Sequence, residues 1–240
     1  MIVIKKGNNP VLAMGYFLQG LKLLLRPELR HFVVIPLAIN TVLYSIALFL
    51  GYQYTGELIA RFIPDWLQWL SWIIWPLFFI TVLIIGFFTF TVMANILAAP
   101  FYGKLAAKAM TVITGRNGVI AEPPMAKVVA SEIKRAGYFS ARALPLLLLF
   151  VIPGINLVAP FAWGLFGAWA MGLEYLAYPL ENEGLLFSEQ KELAKTMRIG
   201  ALSFGGIVMA GLALPVFNIV VAPAAVIGAT LFIHAVKEKS

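Results

Sequence analysis

No cysteine occurs among the 240 residues, which excludes disulfides, thiolate nucleophiles and cysteine metal sites. Charge is scarce as well: 12% of residues are charged against 61% hydrophobic, and the mean hydropathy is positive. That balance excludes an ordinary soluble domain and places the chain among integral membrane proteins. His31 and His234 are the only histidines, far apart in sequence, so no metal-ligand spacing exists and no metal is expected. Gly-x-Ser-x-Gly, Walker A and paired-carboxylate patterns are missing too. An ATP-driven pump is therefore disfavoured, and neither catalytic residues nor a cofactor are expected. The surplus of base, a net charge of +7, is better explained by cytoplasmic loops than by nucleic acid, which is not expected as a partner.

What is present is apolar and arranged for helices. The pattern predicts one all-α membrane domain over residues 1–240, with an N-terminal interfacial helix at 10–25 that ends near Lys22. A first long spanning helix is expected at 28–55, with Phe32–Gly51 as its apolar run. A second is expected at 65–98, entered through the amphipathic Pro64–Ser71 piece and carrying the apolar run Trp72–Leu97. Residues 102–142 form a basic region with Lys104, Lys108, Arg116, Lys127, Lys134, Arg135 and Arg142, whereas the Tyr52–Ser71 connection holds only Arg61. The positive-inside rule then puts the basic region and both termini in the cytoplasm. The polar start Met1–Pro10 has no apolar run of signal length at once behind it, so no cleaved leader is expected.

Two further apolar stretches follow, 143–179 and 199–236. Each holds a central break: Val151–Ala162 and Ala213–Ala225 share Pro-x-x-Asn followed by a second proline. Turns between ordinary spanning helices lie in water and are polar; these are apolar. Flanked by basic residues on both sides, each stretch is expected to enter and leave from the cytoplasm as a hemi-penetrating hairpin. Each side of the second break has roughly 14 apolar residues, about 21 Å of helix, short of a hydrocarbon core of about 30 Å.

Within these stretches Asn156 and Asn218 either line a polar path or, the favoured reading, cap the helix ends opened by Pro153 and Pro215. Glu174 is the only acid in Phe161–Pro179; the favoured reading pairs it with Arg142 at similar depth, the alternative makes it a proton relay.

The best anion-binding candidate is Leu25–Phe32, L-R-P-E-L-R-H-F. Pro27 suits the first position of a helix. The N–H groups of Glu28, Leu29 and Arg30 are then expected to lack intrahelical partners and, with the helix dipole, to favour an anion. Arg26, Arg30 and His31 add positive charge, and a guanidinium grips tetrahedral oxyanions bidentately. The equally weighted alternative makes Arg26 and Arg30 headgroup anchors, with Glu28 merely favouring the helix start.

An ordered set of motifs spans nearly the whole chain: R-P-E-L-R-H-F-V-V-I-P-L-A-I-N (Arg26–Asn40), P-D-W-L-Q-W-L-S (Pro64–Ser71), A-N-I-L-A-A-P-F (Ala94–Phe101), I-P-G-I-N-L-V-A-P (Ile152–Pro160) and E-Y-L-A-Y-P-L-E-N (Glu174–Asn182). In this set the chain resembles the CysZ sulfate transporter (sulfate permease) family of bacterial inner membranes. The resemblance implies two long spanning helices, two hemi-penetrating hairpins, cytoplasmic termini and a dimer-based homo-oligomer, a hexamer being one such assembly. It also implies proton-dependent, high-affinity uptake of sulfate to supply sulfur for cysteine synthesis. The family's sulfate site, a small residue followed by Leu or Ile, Arg and Arg, falls on Glu28, Leu29, Arg30 and His31. Arg30 and the Leu29 backbone carry over directly. Glu28 stands where the pattern has glycine, and His31 where it has a second arginine, for which Arg26 could substitute. Sulfate and membrane lipid are the expected ligands. A scaffold protein, a lipid-directed enzyme and a transporter of another oxyanion remain as alternatives.

Overall fold

Asn9 opens the first helix by accepting the Leu12 N–H on its side-chain oxygen at 3.1 Å, with Pro10 in the first turn where a missing N–H costs nothing. The computed structural model describes residues 7–62, 69–118, 120–214 and 217–238. Its helices are α1 (Pro10–Leu24), α2 (Pro27–Phe62), α3 (Ser71–Thr114), α4 (Met125–Val151), α5 (Ala159–Asn182), α6 (Phe187–Thr196), α7 (Arg198–Leu212) and α8 (Asn218–Lys237). A 3-10 turn, Ile155–Leu157, separates α4 from α5. No strand occurs among the described residues.

The chain divides into two compact units. One comprises Met1–Phe32 and Phe101–Ser240, and its centre is α8. From Val221 to Thr230 every residue of α8 is buried. A helix that is apolar all round must be covered all round, and α1, α5 and α7 supply the cover. Small residues let the backbones close up. A methyl group on Gly20 of α1 would overlap the Ala224 carbonyl of α8, and one on Gly205 of α7 would overlap the Ala168 carbonyl of α5. Around these seams Phe17, Phe204 and Phe232 form a ring cluster, with Phe204 and Phe232 stacked at 6.0 Å. One face of α1, Ala13, Phe17, Gly20 and Leu24, is thus buried against helices, while Val11, Met14 and Leu18 stay exposed. A helix lying only on a membrane surface would not bury that first face.

The second unit, Val33–Pro100, is built from the apolar parts of α2 and α3. Helix α2 has 36 residues, about 54 Å at 1.5 Å per residue. Helix α3 has 44 residues, about 66 Å, and continues past residue 102. The Tyr52 and Trp75 rings, 5.6 Å apart, tie the two helices together. The amphipathic piece that begins at Pro64 lies mostly outside the described residues, as does Pro215.

Both breaks in the later stretches are real interruptions of helix. Gly154 takes φ +83° after α4, a left-handed conformation that suits glycine. Apart from Asn156, the large exposed residues about it are apolar: Ile152, Ile155, Leu157, Val158 and Phe161. Leu214 and Phe217 are likewise exposed at the second break. Helix α6 meets α7 at a bend of 106°. The arms of the second stretch are unequal: α7 has 15 residues and α8 has 20. By length and composition Pro27–Tyr54 and Asn218–Lys237 are each sufficient to cross a membrane. At about 30 Å, α8 exceeds the length expected for each arm of this stretch, and only α7 keeps to it.

Candidate anion-binding site

The junction of α1 and α2 holds all five candidate residues, Arg26, Glu28, Leu29, Arg30 and His31, on consecutive turns of chain. Its geometry begins with hydrogen bonds: the Arg26 N–H donates to the Leu23 carbonyl at 3.0 Å, closing α1. The Arg26 carbonyl then accepts the N–H groups of both Leu29 and Arg30, each at 3.0 Å. The expectation that these two amides lack partners is therefore corrected. Arg26 takes the place of a capping acceptor, so only the Glu28 N–H of the three donates to nothing among the described residues.

Leu29 is fully buried and pins the junction, whereas Arg26, Glu28, Arg30 and His31 are exposed. The His31 ring lies against Phe32, with centroids 4.2 Å apart. Neither Arg26 nor Arg30 forms an ion pair among the described residues, so both guanidiniums keep their donors available. The arrangement offers two guanidiniums, an imidazole and one helix-terminal amide to an oxyanion, with one carboxylate beside them.

Arg142 does not pair with Glu174. Its Nη1 donates to the Tyr138 carbonyl at 3.0 Å, and its guanidinium lies 3.5 Å over the Tyr138 ring. Folding back onto its own helix satisfies the cation without crossing to α5. The cation whose field reaches Glu174 is Arg135. Arg135 itself donates to Glu181 at 2.7 Å and to Gln190 at 2.9 Å, and lies 3.3 Å from Glu132, joining α4, α5 and α6. Burial alone would lower the basicity of its guanidinium, but the Glu181 hydrogen bond and the surrounding carboxylates outweigh burial and raise it. The expected capping by Asn156 and Asn218 is absent too. Neither helix α5 nor α8 receives a side-chain cap, and the Asn156 and Asn218 backbones bond to the Ile152 and Leu214 carbonyls instead.

Sequence reasoning missed the Arg135–Glu181–Gln190 node, because its members are 46 and 55 residues apart in sequence. It also missed a cavity of about 560 Å³ bounded by Arg116, Asn117, Asn182, Glu183, Thr230 and His234, among others. That cavity lies at the C-terminal ends of α3, α5 and α8, where helix dipoles are negative and an anion is disfavoured. Among the described residues no group of three or more His, Asp or Glu side chains is placed to hold a metal.

The fold and the junction together define an all-helical integral membrane protein with an exposed cationic helix start. A family model described as "Sulfate transporter CysZ/Etoposide-induced protein 2.4" matches residues 16–223. The chain is 41% identical to a protein named "Sulfate transporter CysZ" from Pseudomonas paraeruginosa, over 90% of this chain and 92% of that one. It is 43% identical to a protein of the same name from Pseudomonas fluorescens strain Pf0-1, over 90% of each. A third of that name, from Pseudomonas syringae pv. tomato, is 42% identical over 90% of this chain and 89% of its own. The chain belongs to this family of sulfate transporter CysZ proteins, and it is not an enzyme.

Proposed function

We propose that this protein carries sulfate inward across the bacterial inner membrane, driven by a proton gradient and without ATP hydrolysis, and so supplies sulfur for cysteine synthesis. The observation that carries the reading is the near-complete likeness to proteins named sulfate transporters, at 41% to 43% identity. In this reading the termini are cytoplasmic, the two apolar breaks lie inside the bilayer, and the chain works as a dimer-based homo-oligomer.

Capture begins at the α1–α2 junction. Arg30 binds two sulfate oxygens bidentately, and Arg26 and His31 approach from either side. The Glu28 N–H donates to a third oxygen at the positive end of α2. The Leu29 and Arg30 amides are held by the Arg26 carbonyl, so the Leu29 backbone contributes only if that carbonyl turns away. Buried Leu29 then fixes the site's position. Asn156, Asn218 and Glu174, none with a side-chain hydrogen bond among the described residues, are left to line the path.

Selectivity follows from proton inventory. Sulfate at neutral pH is a dianion with no hydrogen to donate, so a site made of donors favours it over protonated phosphate. The exposed Glu28 carboxylate is an acceptor and supports a second reading, in which another oxyanion is carried. Labelled-sulfate uptake into proteoliposomes, with and without an inward proton gradient, tests both. Gradient-stimulated uptake blocked by cold sulfate and not by phosphate fits the proposal. Stronger block by thiosulfate, molybdate or phosphate would transfer the assignment to that anion.

A further inference from the structure

The geometry points to a binding site for a zwitterionic amino acid in the cavity at the ends of α3, α5 and α8. Its volume of about 560 Å³ is that of a small-molecule site. The walls are partly apolar, with Ala106, Met110, Ile113 and Pro179 among them.

Two buried side chains set the polarity of the deep end. Asn182 donates from Nδ2 to the Gly103 carbonyl at 2.8 Å, and its Oδ1 accepts from nothing among the described residues. Thr230 is fully buried and gives its hydroxyl hydrogen to the Val226 carbonyl at 2.9 Å, so its oxygen is left to accept. Three helices also finish here, at Thr114, Asn182 and Lys237, with the negative ends of their dipoles. Acceptors and negative dipole ends together suit a donor with positive charge, which an ammonium group is.

The mouth suits the opposite sign. Of the carboxylates that bound the cavity, Glu183 is paired with Lys237, and Glu238 lies 3.6 Å from His234. Arg116 is exposed, and its guanidinium forms neither an ion pair nor a hydrogen bond among the described residues. A carboxylate fits that fork. An inorganic anion would meet only acceptors further in, and a simple amine would leave Arg116 unanswered. A carboxylate and an ammonium on an apolar body satisfy the mouth, the deep end and the walls at once. In the proposed topology Arg116 is cytoplasmic, so the ligand comes from the cell's own amino acids; only that side of the membrane rests on the proposed function.

Isothermal titration calorimetry of the full chain in detergent reads this site. The probes are L-leucine, L-phenylalanine and 6-aminohexanoate, whose two charges stand further apart, each beside counterparts that lack the ammonium or the carboxylate. At least one amino acid should bind about tenfold or more tighter than either of its counterparts. Arg116→Gln should weaken that binding about tenfold. Lys104→Gln removes an exposed α3 charge that does not bound the cavity, and should leave binding unchanged. No binding of any of the three, or equal binding of a counterpart with one charge, would overturn the proposal. Equal losses in the two variants would overturn it in favour of diffuse attraction. Because binding is read rather than uptake, a failure here is distinct from a failure of the sulfate assignment.

Discussion

Glu28 places a carboxylate one residue before Leu29 and two before Arg30, beside the amide that remains available at the start of α2. Coulomb repulsion between exposed unit charges several ångströms apart costs a few tenths of a kcal/mol in water. Glu28→Gly is therefore expected to tighten sulfate binding by about threefold, measured by calorimetry; unchanged or weaker binding would mean that Glu28 turns away from the anion. His31→Arg supplies a permanent charge and a forked donor, and should raise uptake at neutral pH. A different residue governs alkaline stability. Tyr102 is buried edge-on to Tyr178, and burial pushes its hydroxyl up to about 12. Its neutral form is favoured by folding, so the contribution is whole below pH 10.0 and is lost as pH rises towards about 12. Thermal melts between those values should show a fall in stability that is smaller by roughly 2–3 kcal/mol in Tyr102→Phe. A fall of the same size in the variant would show that another group unfolds the protein.

Among the elements, the α5–α7 seam depends on the lack of a side chain at Gly205. Gly205→Val would press on the Ala168 carbonyl and the Gly172 backbone, with no flexible chain to yield. A loss of about 1–3 kcal/mol is expected, seen as a lower melting temperature in detergent. The Arg135 node should respond less, because Glu181 is 41% exposed. Arg135→Ala is expected to cost about 1–2 kcal/mol, chiefly by leaving Gln190 and Glu181 unpaired where α4, α5 and α6 meet. Much at this scale was legible in the sequence. Pro10, Pro27 and the two Pro-x-x-Asn breaks mark helix starts and interruptions, because proline lacks a donor and fixes its own φ. Side-chain partnership was not legible. Asn156 and Asn218 looked like caps, but only their backbones bond; Arg142 looked like the partner of Glu174, but it bonds the Tyr138 carbonyl and lies over the Tyr138 ring. Which helix closes on which at the small-residue seams depends on contacts distant in sequence.

For the whole molecule, the proposed topology makes the absence of native cysteine useful. A cysteine at Asn156 or Asn218 should resist a membrane-impermeant thiol reagent from the periplasm, and one at Lys127 should label from the cytoplasm. Ready periplasmic labelling at either asparagine would replace the hemi-penetrating hairpins with ordinary spans. The central claim is that an oxyanion is captured at the α1–α2 junction and carried inward. Its most direct test is labelled-sulfate uptake into proteoliposomes holding the native chain or Arg30→Ala, the variant checked for intact helicity and melting. Loss of one bidentate, charge-assisted contact should lower uptake about tenfold or more at limiting sulfate. Equal uptake by the two proteins would contradict the site, and no uptake above empty liposomes by either would contradict the transporter.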